Sequence, residues 1–342
     1  MHRRVRLFLV CALVLVLPGF VLPGFAASST AKSSGKAKSG TGKSGSSSVA
    51  RHPYLGALAA DTATGRVLFA EGAETRGYPA STLKLMDLLL ILERIERGQM
   101  SLQDQVKVSA RAAKTGGSEV WLAEGEVFTV DELLYALMIQ SANDAAVALA
   151  EHVAGSTEAF VTLMNQRARE LGMVNTVFNS VHGLPPGAGQ AHDVTTARDM
   201  MLLCFEVLRH PAALRYTGTH DRAFRTNSPH VVQMRNHNHL LQSLAGCDGL
   251  KTGYIAAAGY SIAVTAQRNG RRVVVYVLGS ADRKERDARA AALVEKAFAQ
   301  LPPLPAPAAP APAPTTRPAP GSGAGTGSGT TRPASPAPAP TR

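Results

Sequence analysis

The chain has 342 residues, 45% of them apolar, and a formal net charge of +11, enough length and apolar content for one large domain or two small ones with a buried core. The charge sits at the ends: residues 1–50 hold seven Lys/Arg and no acid, residues 302–342 hold three Arg and no acid, and residues 51–301 carry 26 basic against 25 acidic side chains. A nearly neutral middle disfavours a polyanion-binding globular domain, so no nucleic-acid partner is expected.

At the N-terminus, Arg3, Arg4 and Arg6 precede an apolar run from Leu7 to Leu17, and Gly24-Phe25-Ala26 puts small residues at the −3 and −1 positions of a cleavage site. That is the layout of a secretory signal over residues 1–26, to be left out of fold reasoning. The run is short for a membrane span, and Pro18 and Pro23 interrupt its end. Cys11 follows Val10 inside the run, a poor context for lipid attachment. Export leaves Cys204 and Cys247, which read as one disulfide or as two buried free thiols. Residues 27–50 are rich in Ser, Gly and Lys and read as a flexible linker. Residues 302–342 are rich in Pro and Ala and read as an extended or disordered tail. The folded unit is expected over residues 51–301.

Within it, "YLGALAADTATGRVLFAEG" gives two apolar runs around Thr64-Gly65, a hairpin signal. An apolar helix is expected from Ser81. A second helix is expected over Thr129 to Gln140, with Thr129 as N-cap and Asp131 and Glu132 in its first turn. A third, "DAAVALAEHVAG", is closed by Gly155, and a fourth runs from Ser156 to Gly172. Near the end, two β-rich runs flank Asn269-Gly270, a strong short-range hairpin signal, and "RKERDARAAALVEKAFAQL" reads as an amphipathic helix. Strands, then helices, then strands and a helix suggest an α+β domain whose first and last strand groups share one antiparallel sheet.

Three short segments could carry chemistry. Ser81 and Lys84 lie one turn apart at the head of the first helix, on one face. A serine hydroxyl is a poor nucleophile until a base takes its proton, and a buried lysine can be that base. The helix start adds backbone N–H groups that favour a developing anion. The plainer reading is an N-cap and a solvated lysine, and the same spacing recurs at Ser29/Lys32 and Ser33/Lys36 in the linker. Next, Ser141-Ala142-Asn143 falls between two helices. Ser141 can relay a proton there and Asn143 can hold an amide, unless both only punctuate helices. Last, Lys251-Thr252-Gly253 leads into the β-rich end. Its Lys and Thr can bind a carboxylate, and its Gly lets a substrate backbone approach a strand edge. The same tripeptide at Lys114-Thr115-Gly116 has no β pattern after it and is set aside.

Together, in this order and context, the three are the Ser-x-x-Lys, Ser-x-Asn and Lys-Thr-Gly set of penicillin-binding proteins and serine β-lactamases. "YPASTLKLM", "MIQSANDAAVALAEHVAGS", "LGMVNTVFNSVHGL", "TTARDM", "NHNHLL" and "DGLKTGY" resemble the low-molecular-mass D-alanyl-D-alanine carboxypeptidases of serine peptidase family S11, over roughly residues 52–300. The resemblance implies a β-lactamase/transpeptidase-like α+β fold, with a five-stranded antiparallel sheet flanked by helices and a helical subdomain. It implies a serine-type D-Ala-D-Ala carboxypeptidase acting on peptidoglycan stem peptides, with β-lactams as covalent inhibitors. Ser81 would be the acylated nucleophile, Lys84 its base and Ser141 a proton relay. Asn143 would bind the peptide stem, Lys251 and Thr252 the terminal carboxylate beside Gly253, and the N–H groups of Ser81 and Tyr254 would form the oxyanion hole. No metal or other cofactor is implied. The location would be periplasmic or cell-wall associated, with at most weak membrane or wall-polymer contact through the basic flanks.

Two departures bear on substrate. A Pro/Ala tail follows the catalytic unit where longer relatives carry a β-rich domain and a membrane-lying helix, which favours the alternative of a D,D-endopeptidase that cuts cross-links. Tyr254 stands where a small residue or His is more usual. A class A β-lactamase would need a Glu-x-x-Leu-Asn segment, and Glu170-Leu-Gly-Met-Val-Asn175 has the wrong spacing. A zinc peptidase would draw on His182, His192, Asp193, His237 or His239, which lack the paired spacing such sites use. A non-catalytic wall-binding scaffold is disfavoured because all the expected catalytic residues are present.

Overall fold

A run of β-branched and apolar residues without a polar break dictates a strand buried on both faces, and residues 273–278 are such a run. The computed structural model describes residues 48–302. In it the first hairpin is β1 (Gly56–Asp61) and β2 (Val67–Glu71), and a 3₁₀ turn at Ala80–Leu83 leads into α1 (Lys84–Glu96). Short elements follow: β3 (Gln105–Lys107), α2 (Ala110–Ala113), β4 (Val127–Thr129) and α3 (Val130–Tyr135), the last continued by a π-helical turn at Ala136–Gln140. Then come α4 (Asn143–Ala154), α5 (Thr157–Glu170), α6 (Ala197–Leu208) and α7 (Ala212–Thr217). The chain closes with β5 (Asp221–Phe224), β6 (Val232–Arg235), α8 (Leu240–Ser243), β7 (Cys247–Ile255), β8 (Gly259–Arg268), β9 (Arg271–Ser280) and α9 (Arg283–Ala299).

The main sheet has the order β2-β1-β9-β8-β7 and is antiparallel throughout. The first and last strand groups therefore do share it, with Ala57 opposite Val277 and Ala59 opposite Val275. Asn269 and Gly270 turn the last hairpin with φ of 48° and 73°, the left-handed pair a tight hairpin turn requires. The central strand divides two cores by the two-residue period of a strand. Val273, Val275 and Val277 pack with Ala290, Leu293 and Val294 of α9. Val274, Tyr276 and Leu278 join the larger core with α1, α4 and α6. Helix α1 is buried from Lys84 through Glu93, apolar nearly all round, as the innermost helix of a domain must be. Each of its fully buried leucines contributes roughly 1.5–3 kcal/mol.

The expected caps are present. Thr129 closes a capping box with Glu132, and Gly155 ends α4 with a left-handed backbone; Ser156, read as the first helical residue, caps α5 instead. Several expectations change. The helix does not begin at Ser81: Pro79 and the left-handed Ala80, φ 47°, set a 3₁₀ turn first, and the α-helix starts at Lys84. The second helix changes to π geometry before Ser141. Lys251-Thr252-Gly253 lies inside β7, paired residue by residue with β8, and does not merely lead into it. Val49, read as linker, is already hydrogen-bonded to the Ala257 carbonyl, and Arg51 to that of Gly279. Cys204 and Cys247 are free thiols, the first fully buried on α6. The signal segment, most of the linker and all but the start of the tail lie outside the described residues. Among the described residues, no helix is long and apolar enough to cross a membrane.

Candidate active site

A serine heading a buried helix can serve as a cap or do chemistry, and here the cap bond is missing. Pro79 occupies the cap position and no side chain caps the turn. The Ser81 hydroxyl lies 3.1 Å from Lys84 Nζ, with a longer 3.4 Å contact to the His182 carbonyl. Lys84 is fully buried, and its nitrogen also meets Asn143 Oδ1 at 2.7 Å and the His182 carbonyl at 2.8 Å. Burial pulls its pKa from 10.5 to about 7, against the opposing charges of Asp87, Asp193 and Asp144. Near neutrality a large share of Lys84 is free amine, able to accept the Ser81 proton across that same distance.

Asn143 opens α4 and is 2% exposed. Its amide is used at both ends: Oδ1 accepts from Lys84, and Nδ2 donates to the Gly116 carbonyl at 2.8 Å. Together these contacts orient the lysine. Ser141 sits at the end of the π-helical turn with a left-handed backbone, φ 61°, a conformation that L-residues hold only where surroundings enforce it. The loop discarded as a decoy borders the site. Besides Gly116, Ser118 accepts the Asn143 N–H at 2.7 Å. The opposite loop is shaped by Asp193, whose carboxylate accepts from the Asn179 and Ser180 N–H groups and the Ser180 hydroxyl at 2.6–2.9 Å. That turn presents the His182 carbonyl to Lys84. Burial lowers the His182 imidazole to about 4, so it is neutral at pH 7.

Strand β7, at the edge of the sheet, forms the other wall. A Cβ on Gly253 would lie 2.7 Å from the Pro79 carbonyl, 3.0 Å from Thr82 N and 3.1 Å from Ser81 N. This glycine permits the close approach of β7 to the protein's own serine turn. Thr82 Oγ1 adds a 2.8 Å hydrogen bond to the hydroxyl of Tyr276 on β9. Lys251 is 2% exposed and donates to the Thr252 carbonyl at 3.0 Å. Burial, then the charges of Lys84 and Arg286, hold its pKa well below the ordinary lysine value. Tyr254 is half exposed and stacks on Tyr260 at 4.2 Å.

Ser81, Ser141, Thr252, Gly253 and Tyr254 line one cavity of ≈ 290 Å³, with Lys84 and Asn143 bonded behind it. Residues that the sequence reading did not place there also line it, among them Arg283 and Arg286 from α9, and His237 and His239. Their segments read only as an amphipathic helix and as histidines open to a metal. Arg286 is 3% exposed and donates to the Ser261 carbonyl at 3.3 Å. The cavity is rich in cationic groups and suits an anionic ligand end. Glu170, weighed as a β-lactamase residue, ends α5 and pairs with Arg167. Among the described residues, potential metal ligands gather at Glu93, Glu206 and His210, where Arg167 bridges both glutamates at 2.7 Å.

A family model described as D-alanyl-D-alanine carboxypeptidase matches residues 47–282. The chain is 36% identical over 254 residues to D-alanyl-D-alanine carboxypeptidase DacF of Bacillus subtilis, covering 74% of this chain and 64% of that one. It is 38% identical over 228 residues to DacC of Escherichia coli, covering 64% and 55%. The chain therefore spans less than two thirds of the length of either relative. Among solved structures, ampicillin-bound penicillin-binding protein D2 of Listeria monocytogenes superposes with a TM-score of 0.65 at 29% identity, covering 72% of this chain and 98% of that one. A variant of the Streptomyces K15 DD-transpeptidase gives 0.66 at 28% identity with the same coverage. The fold is thus the β-lactamase/transpeptidase-like one, and the chain belongs to the D-alanyl-D-alanine carboxypeptidase family, peptidase family S11.

Proposed function

We propose that this chain is a serine-type D-Ala-D-Ala carboxypeptidase of peptidoglycan stem peptides, acting outside the cytoplasmic membrane through an acyl-enzyme on Ser81. The observation that carries the reading is the buried Lys84 amine 3.1 Å from the Ser81 hydroxyl, with a pKa drawn down to about 7. In the acylation step Lys84 takes the hydroxyl proton and Ser81 Oγ attacks the carbonyl of the penultimate D-Ala. The N–H groups of Ser81 and Tyr254 hold the oxyanion. The terminal D-Ala carboxylate lies toward Thr252 and Lys251, with Arg286 nearby, while Ser141 passes a proton to the departing amine. Free D-Ala leaves, and the acyl group stays on Ser81. Water then attacks the ester, giving a proton to Lys84, which returns it to Ser81 Oγ as the acyl bond breaks, and the shortened stem is released as a carboxylic acid. Asn143 keeps Lys84 aimed through Oδ1 and offers its amide to the peptide stem. No metal or other cofactor enters either step.

A β-lactam enters by the same attack. Its ring amide opens, but the leaving amine stays tethered and the acyl-enzyme persists. Intact mass after exposure to a β-lactam is the first test, and the expected result is one added drug mass that is absent in Ser81→Ala. Digestion of free pentapeptide and of a cross-linked dimer, run separately, then reads the substrate. Released D-Ala from the pentapeptide supports the carboxypeptidase. Cleavage of the dimer alone overturns it in favour of the endopeptidase. A chain that never gains mass overturns both.

A further inference from the structure

Trp121 is the chain's one tryptophan and it is 60% exposed. Among the described residues its indole joins no ring stack or cation–π contact. Its backbone is left-handed, φ 54°, a conformation that must be enforced in a bulky residue. The enforcement is visible. The carboxylate of Asp144, 1% exposed, accepts from Val120 N at 3.1 Å and Leu122 N at 3.0 Å. Arg225, its side chain 6% exposed, donates to the carbonyls of Val120 at 3.1 Å and Trp121 at 2.7 Å. Arg225 is itself left-handed at φ 59°, and its buried Nε has no hydrogen-bond partner. Two buried charges thus fix the chain on both sides of an indole that is left standing in solvent. One of them, Asp144, adjoins Asn143, so the platform is tied to the catalytic segment.

The platform is also connected to the cleft. The active-site cavity shares His237 and His239 with a cavity of ≈ 610 Å³. That cavity shares Gln140 and Gln233 with a third of ≈ 660 Å³, lined by Trp121 and Arg225. Through these shared residues the three adjoin in turn past β6, the first of them beside Ser141. The far end of this groove offers a flat apolar ring and two side-chain amides. An N-acetylated sugar ring matches that set: its C–H face stacks on indole, and its acetamido and hydroxyl groups both donate and accept. We propose that this groove is a subsite for the amino-sugar chain to which the stem peptide is attached, with Trp121 as the stacking platform. The assignment rests on the proposed D,D-peptidase function and deepens it, since it makes the enzyme a reader of glycan-linked stems rather than of free peptide.

As the sole tryptophan, Trp121 reports directly on its own surroundings. Titrating the full chain with the β-1,4-linked tetramer of N-acetylglucosamine should give a saturable change in tryptophan emission. Free pentapeptide should give none. An unchanged emission with the tetramer overturns the proposal, and a change with the peptide instead assigns the groove to a second peptide strand and overturns it equally. Kinetically, D-Ala release is compared between disaccharide-linked and free pentapeptide. The ratio of their kcat/KM values should fall about tenfold in Trp121→Ala, the scale of one lost ring contact, and be largely restored in Trp121→Tyr. Gln233→Ala, an exposed position on the opposite wall, should lower the same ratio without disturbing the left-handed turn. A ratio unmoved in both Trp121→Ala and Gln233→Ala refutes the subsite. Labelling by fluorescent penicillin is scored separately, so a failure of the catalytic reading is recognised as such.

Discussion

Replacing Lys84 with Met removes the amine while keeping a long unbranched chain in its place. The amine is fully buried, and its pKa falls from 10.5 to about 7 in the fold. At roughly 1.4 kcal/mol for each pH unit between those values, folding disfavours the charged form by about 5 kcal/mol. Below about pH 7 folded and unfolded chains both hold the proton, and that penalty is present in full. Between about 7 and 10.5 the unfolded chain binds more protons than the folded one, so stability rises with pH. The Met variant lacks this rise. It also loses the bonds to Ser81 Oγ, Asn143 Oδ1 and the His182 carbonyl, about 1 kcal/mol each and nearly independent of pH. Asp87, one turn on, acts in the same direction. Its carboxyl pKa is already raised by burial and is lowered by Lys84, so removing Lys84 raises it further and weakens the variant more as pH climbs. The stability of wild type minus that of Lys84→Met should therefore grow by roughly 2–3 kcal/mol between about pH 6.5 and 9. Urea unfolding at several pH values measures it. Parallel curves for the two proteins would refute the buried, depressed amine and with it the assignment of the base.

Three further outcomes follow from the same geometry. The rate of β-lactam acylation should climb about tenfold per pH unit below about pH 7 and level off above it, as Lys84 gives up its proton; a flat profile contradicts a lysine base. Ser81→Ala should show no covalent drug adduct by mass yet unfold within about 1 kcal/mol of wild type, because its hydroxyl makes one bond to Lys84 and one long contact. Gly253→Ala should lose about 1–3 kcal/mol in thermal or urea unfolding and acylate more slowly, since its Cβ would press on the Pro79 carbonyl at 2.7 Å; wild-type behaviour would show that the serine turn yields freely.

How legible a feature was in the sequence depended on how local its cause is. The hairpin at Asn269-Gly270, the capping box at Thr129 and the stop at Gly155 are set by neighbouring residues, and the structure has all three. The Ser-x-x-Lys pair was legible as a spacing, but its 3₁₀ start was not: the left-handed Ala80 that opens the turn lies against Gly183, a hundred residues away, where a side chain would collide with its carbonyl. Helix α6 went unread although Thr196 caps it and seven of its residues are buried. The elements β3, β4, β5, β6, α2, α7 and α8 are too short to carry a period. Arg283 and Arg286 reach the cavity from the last helix, and Gly116 and Ser118 through a loop whose tripeptide resembled a decoy. None of these has a local signature of the contact it makes.

Backbone strain ties the site and the groove into one design. Among the described residues, five non-glycine residues have positive φ: Ala80, Trp121, Ser141, Arg225 and Asn269. Asn269 has the ordinary excuse of a two-residue hairpin turn. The other four do not. Ala80 immediately precedes the serine hydroxyl, and Ser141 places its own beside it in the same cavity. Trp121 and Arg225 meet through a single hydrogen bond at the end of the groove. Each such residue costs about 1–3 kcal/mol and survives only where its surroundings over-determine it. A fold shaped by stability alone would have no reason to concentrate that strain along one surface, and random drift would have scattered it over the many loops that could bear it. The strain instead runs from the acylating turn to the exposed indole, with Asp144 bracing the turn that carries the indole and adjoining Asn143 of the active site. Relieving it at Trp121 should leave the serine turn as it is, which is why the glycan-linked to free-peptide ratio, rather than β-lactam acylation, is the quantity that separates the two halves of the groove.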